Sequence, residues 1–212
     1  MENKNYVWYS SFGSNLCEDR FLCYIKGGQP AGSTKSEKGA RDNTSPVDVQ
    51  AIELDYPLYF ASYSSRWDGG VAFIGTSSSE TNKSLGRMYL ITKEQFVDVV
   101  RQENETDDIT INFESILEKG SIMVRESLYG NVLHVGDQDG IPIFTFTHKE
   151  DMNKREFTQP SERYLRMLIS GYKEAYDMTD EEIARYLVTK PGVKGNIVEE
   201  ELLRLTKQVQ VN

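Results

Sequence analysis

Apolar residues crowd into YVWYSSF at positions 6–12 and stop at Gly13-Ser14-Asn15. An aromatic-rich run cut off by small polar residues predicts a strand followed by a turn. In LCEDRFLCYI, the apolar positions Leu16, Phe21, Cys23, Tyr24 and Ile25 make a helical stripe. Residues 26–47 are rich in Gly, Ser, Lys and Pro and predict a long loop, reaching to about residue 50. Strands are then expected in AIELDYPLYFASYS (51–64), interrupted at Pro57, and in GGVAFIGT (69–76) and LGRMYLIT (85–92). Their spacing favours antiparallel hairpins over β-α-β units.

Thr92 and Gln95 form a capping box that opens a helix over about 93–104. A short helix follows near 111–119, then strands at 121–127, 131–136 and 141–147. From Pro160 the pattern turns helical: PSERYLRMLISGYKEAY, TDEEIARYLV with Thr179 and Glu182 as a second capping box, and VEEELLRLTKQ. There is no internal repeat. Strands early and helices late predict an α+β chain, a mostly antiparallel sheet or small barrel with helices around it. Residues 1–212 read as one domain, with a helical C-terminal segment from about 160.

Composition narrows the function classes. With 38% hydrophobic and 27% charged residues, the 212-residue chain can fill one sizeable core. A net charge of −9 and the lack of a basic run argue against a nucleic-acid groove. No stretch approaches the roughly 18 apolar residues of a membrane span, and MENKNYVWYS lacks the apolar centre of a signal peptide. Cys17 and Cys23 are too few for a disulfide framework and read as reduced thiols. A cytoplasmic protein is expected. His134 and His148 stand without a ligand pattern, so no metal is expected. No nucleotide fingerprint is present: GSNL lacks the lysine of a phosphate loop, and KGGQPAG lacks the following helix.

One residue breaks the hydrophobic pattern. Phe96, Val99 and Val100 define the apolar face of the helix at 93–104, and Glu103 falls on it, seven, four and three residues on. Asp98 and Glu94 fall elsewhere, toward solvent. A carboxylate on a core-facing stripe is costly unless it is paired or lines a cavity. Two readings are open. Glu103 swings out to water at the helix end, or it is a general base whose pKa burial raises.

Four segments, taken in order, resemble the gamma-glutamylcyclotransferase-like family. WYSSFGSNL is similar to its strand-loop signature, a Tyr-Gly-Ser-Asn-Leu loop after a hydrophobic strand. LDYPLYFASYSSRWDGGVAFI (54–74) resembles its strand-loop-strand segment. GRMYLITKEQFVDVVRQEN (86–104) resembles the segment carrying the catalytic glutamate, at Glu103. QPSERYLRMLISGYKEAYDMTDEEIARYL matches the late helices in type and order. The resemblance implies a small mixed β-barrel flanked by helices. It implies cyclisation of a γ-glutamyl amine or γ-glutamyl amino acid to 5-oxoproline, with Glu103 as general acid and base and no cofactor. It is compatible with a homodimer.

In that setting the substrate-binding candidates are the turn residues Phe12, Gly13, Ser14, Asn15 and Leu16, whose amides suit a carboxylate, and Trp67, Gly69 and Gly70 at the pocket rim. Ser14 or Asn15 can also simply cap the next helix, and Trp67 can be a core residue. Phe12 stands where the family loop has Tyr, and Phe144 stands near a late-strand Tyr. The alternative function is therefore a catalytically silent member that binds a carboxylate-containing small molecule.

Overall fold

The computed structural model describes residues 5–30 and 35–210. Its central strand is the run that opens the chain. β1 (Tyr6–Ser11) pairs antiparallel with β5 (Ser84–Thr92) and parallel with β8 (Ile141–Thr147). β2 (Asp48–Leu54) lies outside β5. On the other side of β8 lie β7 (Asn131–Gln138) and β6 (Ser121–Met123), giving the order β2-β5-β1-β8-β7-β6. β3 (Leu58–Ser64) and β4 (Gly69–Ile74) make a separate two-stranded ladder. The α+β architecture with a mixed sheet is as expected, but hydrogen bonding does not close the sheet into a true barrel.

Both faces of β1 are covered, which explains why its apolar run hardly alternates. Val7 and Tyr9 face one core with Phe21, Tyr24 and Ile25 of α1 (Glu18–Lys26) and Phe96, Val99 and Val100 of α2 (Lys93–Glu103). Trp8 faces the other way, onto Met88, Ile141 and Ile143. β5 runs directly into α2, and the Thr92–Gln95 capping box forms as the sequence suggests. The short α3 (Phe113–Lys119) precedes β6. α4 (Glu162–Ala175), α5 (Asp180–Val188) and α6 (Glu199–Gln208) share a second core with the β3–β4 ladder. Among the described residues, no helix is long and apolar enough to cross a membrane.

The expected loop at 26–50 is ordered where it is described; residues 31–34 lie outside the described residues. Its last part belongs to β2, because Asp48 to Gln50 pair with Leu90 to Met88. The rest folds onto α1 and α2. Gly28 and Glu37 exchange backbone hydrogen bonds at 3.1 and 2.8 Å, and Ala40 N–H donates to Ile25 C=O at 2.9 Å. This corrects the reading of Asp98, which is not toward solvent. It is 5% exposed and accepts from Arg41, at 2.9 Å from the backbone N–H and 3.0 Å from Nε. Helical periodicity reports which face meets the sheet, and gives no sign that a loop covers a flank.

Candidate active site

A cavity of about 400 Å³ opens beyond the end of β1. The chain leaves the sheet there through Phe12 and Gly13 into a 3₁₀ turn, Ser14–Leu16. The two cores diverge at this point, so the turn, α1, the end of α2, the β3–β4 turn and α4 all contribute to the wall.

Glu103, the last residue of α2, points into this cavity. It does not swing out to bulk water. The residue is half-buried and lines the cavity. Asn15 Nδ2 donates to Glu103 Oε1 at 3.2 Å, and Tyr24 adds a second hydrogen bond. Burial raises the Glu103 pKa above the ordinary carboxylate value, the nearby Arg20 guanidinium opposes the rise, and Glu37 adds to it.

The turn offers fewer free amides than its sequence suggests. Leu16 N–H closes the 3₁₀ turn onto Gly13 C=O at 3.0 Å. The phenol oxygen of Tyr164 accepts from the backbone N–H of Ala72 at 3.2 Å and from that of Ser14. The Gly13 and Asn15 amides have no intramolecular acceptor among the described residues. A Cβ at Gly13 would stand 3.1 Å from the Tyr164 hydroxyl, so a side chain there would crowd the phenol. Asn15 Oδ1 is buried and unpartnered.

The structure brings Phe12, Gly13, Ser14, Asn15, Trp67 and Glu103 around one cavity. Leu16, Gly69 and Gly70 do not line it. Leu16 is fully buried beneath α4, where a Cβ at Gly171 would come within 2.4 Å of its own Cβ. Gly69 and Gly70 are needed for close chain approach: a Cβ at Gly70 would lie 2.1 Å from Thr158 C=O, and one at Gly69 would lie 2.7 Å from Ser161 N. Phe144 lies away from the cavity, packed on Phe96 and Phe113. The phenols of the site come instead from Tyr9, Tyr24, Tyr63, Tyr129 and Tyr164.

Sequence reasoning missed Arg20, Tyr24, Glu37 and Arg66. Arg20 carried the same signal as Glu103, a charge on a helix face occupied four residues later by a buried aromatic. It is 3% exposed, and its Nη2 donates to the Tyr24 hydroxyl at 2.7 Å. Glu37 sits in a loop without periodicity and gave no signal. Among the described residues, no group of three or more His, Cys, Asp or Glu side chains gathers as metal ligands would.

No known family profile matches the chain. It superposes on a gamma-glutamyl cyclotransferase of known structure with a TM-score of 0.52 and 18% identity, covering 95% of this chain and 98% of that one. An uncharacterized protein from Homo sapiens gives a TM-score of 0.52 and 18% identity, with 97% and 100% covered. By sequence, the chain is 35% identical over 205 residues to Histone deacetylase 5 of Arabidopsis thaliana, covering 87% of this chain but 31% of that protein. That name describes a far longer protein, of which this chain spans less than a third. The chain thus shares the fold of the gamma-glutamyl cyclotransferases.

Proposed function

We propose that the chain is a gamma-glutamylcyclotransferase-type enzyme, cyclising a γ-glutamyl amine or γ-glutamyl amino acid to 5-oxoproline. One observation carries this reading: an acid side chain with a raised pKa faces, within one cavity, a turn with two unoccupied amides. The Gly13 and Asn15 amides hold the substrate's α-carboxylate. The α-amine arrives mainly as ammonium, since such groups titrate near about 7.7–8.0. Glu103 takes a proton from it, and the freed amine attacks the γ-carbonyl carbon of the same molecule. The C–N bond to the leaving group then breaks as Glu103 returns the proton to the departing nitrogen.

A raised carboxyl pKa narrows the gap to the ammonium and favours the transfer, a contribution of about 10²–10⁴-fold. Holding nucleophile and electrophile of one molecule in the folded conformer supplies much of the remainder. A second reading, a silent member that binds a carboxylate-containing ligand, rests on Phe12, which lines the cavity without a hydroxyl. A panel of γ-glutamyl amines and amino acids, assayed for 5-oxoproline and for the released amine, separates the two. Stoichiometric release of both supports the enzyme. Ligand-induced thermal stabilisation without product supports the silent member.

A further inference from the structure

Two buried or half-buried guanidiniums meet one carboxylate beside the site. Glu37 Oε1 ion-pairs with Arg20 Nη1 at 3.1 Å and with Arg66 Nη2 at 2.7 Å, and its side chain is only 10% exposed. Arg20 belongs to α1, Arg66 to the β3–β4 turn, and Glu37 to the loop after α1. The terminal nitrogens of Arg20 are thus divided. Nη1 is drawn to Glu37, while Nη2 donates to the Tyr24 hydroxyl at 2.7 Å, and Tyr24 in turn hydrogen-bonds Glu103. The Arg20 guanidinium also lies over the Tyr24 ring, 4.4 Å from its centroid.

The loop is fastened so that Glu37 reaches this point. Besides its backbone pairing with Gly28, Gly39 N–H donates to Gln102 Oε1 at 3.2 Å, and Gln102 Nε2 donates to Tyr24 C=O at 3.0 Å. Gly39 has a positive φ of +83°, and a Cβ there would stand 2.7 Å from Gly27 N, so the loop can seat this closely only with glycine.

We propose that Glu37 is a positioning residue for Glu103: paired with Arg20, it offsets the guanidinium's pull on the site's carboxylate and so couples the seating of the loop to proton transfer. This rests on the reading of Glu103 as the acid and base. The groups facing Glu103 are Tyr9 from β1, Arg20 and Tyr24 from α1, Glu37 from the loop, Tyr129 ahead of β7 and Tyr164 from α4. Of these only Arg20 and Glu37 carry charge at neutral pH. Two carboxylates, Glu37 and Glu103, therefore compete for Arg20, while Arg66 pairs with Glu37. With Glu37 neutral, Glu103 is left as the carboxylate facing Arg20. The guanidinium then stabilises its charged form, which makes it a weaker base.

The test is a ¹³C NMR titration of the Glu103 carboxyl in the free protein, assigned by its absence from Glu103→Gln. In Glu37→Gln the midpoint moves down, and in Glu37→Asp, which keeps the charge, it stays near wild type. Lys38→Ala, which removes the loop's exposed ion pair to Asp107, leaves it unchanged. In turnover, Glu37→Gln moves the acid limb of the pH profile down and lowers kcat at neutral pH by about tenfold, part of the general acid–base contribution. An unmoved or raised midpoint in Glu37→Gln overturns the proposal, as does an equal fall in Lys38→Ala. Full turnover by Glu103→Gln would instead overturn the reading of Glu103 as acid and base, and the titration separates the two failures.

Discussion

Asn15 Nδ2 lies 3.2 Å from Glu103 Oε1 and 3.2 Å from the Tyr9 hydroxyl, tying the turn after β1 to the end of α2 across 88 residues of sequence. A donor at this position fits an ionised carboxylate. Asn15→Asp replaces it with a second carboxyl, and two like charges cannot both ionise easily at such separation. The pair then titrates as a unit, and the acid limb of the pH–rate profile moves up. Activity at neutral pH falls, and the pH profile of kcat checks the direction.

Glu103 itself destabilises the fold at neutral pH. Its folded pKa is raised above the unfolded value by burial. The protonated form is therefore the favoured one in the fold, and the penalty is absent below the unfolded pKa. It grows as pH rises through the folded pKa and then stays constant. Glu103→Gln consequently has a higher Tm than wild type at pH 8, and the difference vanishes near pH 4. One kcal/mol moves Tm by about 2–4 °C in a chain of this size. Thermal unfolding of both proteins at the two pH values reads the effect.

Tyr164 supports the turn through its phenol oxygen, which accepts from the amides of Ala72 and Ser14. Tyr164→Phe leaves those buried donors unpaired, at about 1–3 kcal/mol each. Denaturant unfolding measures the loss. The Ser14 amide, once released, disturbs the turn, so KM for any γ-glutamyl substrate rises as well.

Gly171 lets α4 lie directly on the turn. A Cβ there would meet Leu16 Cβ at 2.4 Å and Leu16 C at 2.6 Å, and backbone cannot yield as a flexible side chain would. Gly171→Ala costs about 1–3 kcal/mol by overpacking and displaces the turn. A far larger fall in kcat/KM than in stability is the expected signature, checked by measuring both on the same preparation.

Much of this was legible in the sequence because it is local. The Thr92–Gln95 box, the stripe of Phe96, Val99 and Val100, and Glu103 on that stripe all lie within one helix and follow from its geometry. What covers a helix flank is not local, so periodicity places Asp98 toward solvent although the loop with Arg41 lies over it. Gly69 and Gly70 read as rim residues because a glycine pair marks close approach without saying to what. Here the neighbour is the backbone of residues 158–161. Tyr9, Tyr24, Tyr129 and Tyr164 come to the cavity from four separate parts of the chain, a convergence that no local pattern shows. Glu37 had no signal at all, since a loop carries no period to break.

The most direct measurement is 5-oxoproline release from γ-glutamyl substrates at neutral pH by wild type and Glu103→Gln side by side. General acid–base catalysis by Glu103 predicts release by wild type and a fall of about 10²-fold or more in the variant, with substrate binding retained. Equal release by the two proteins would contradict it.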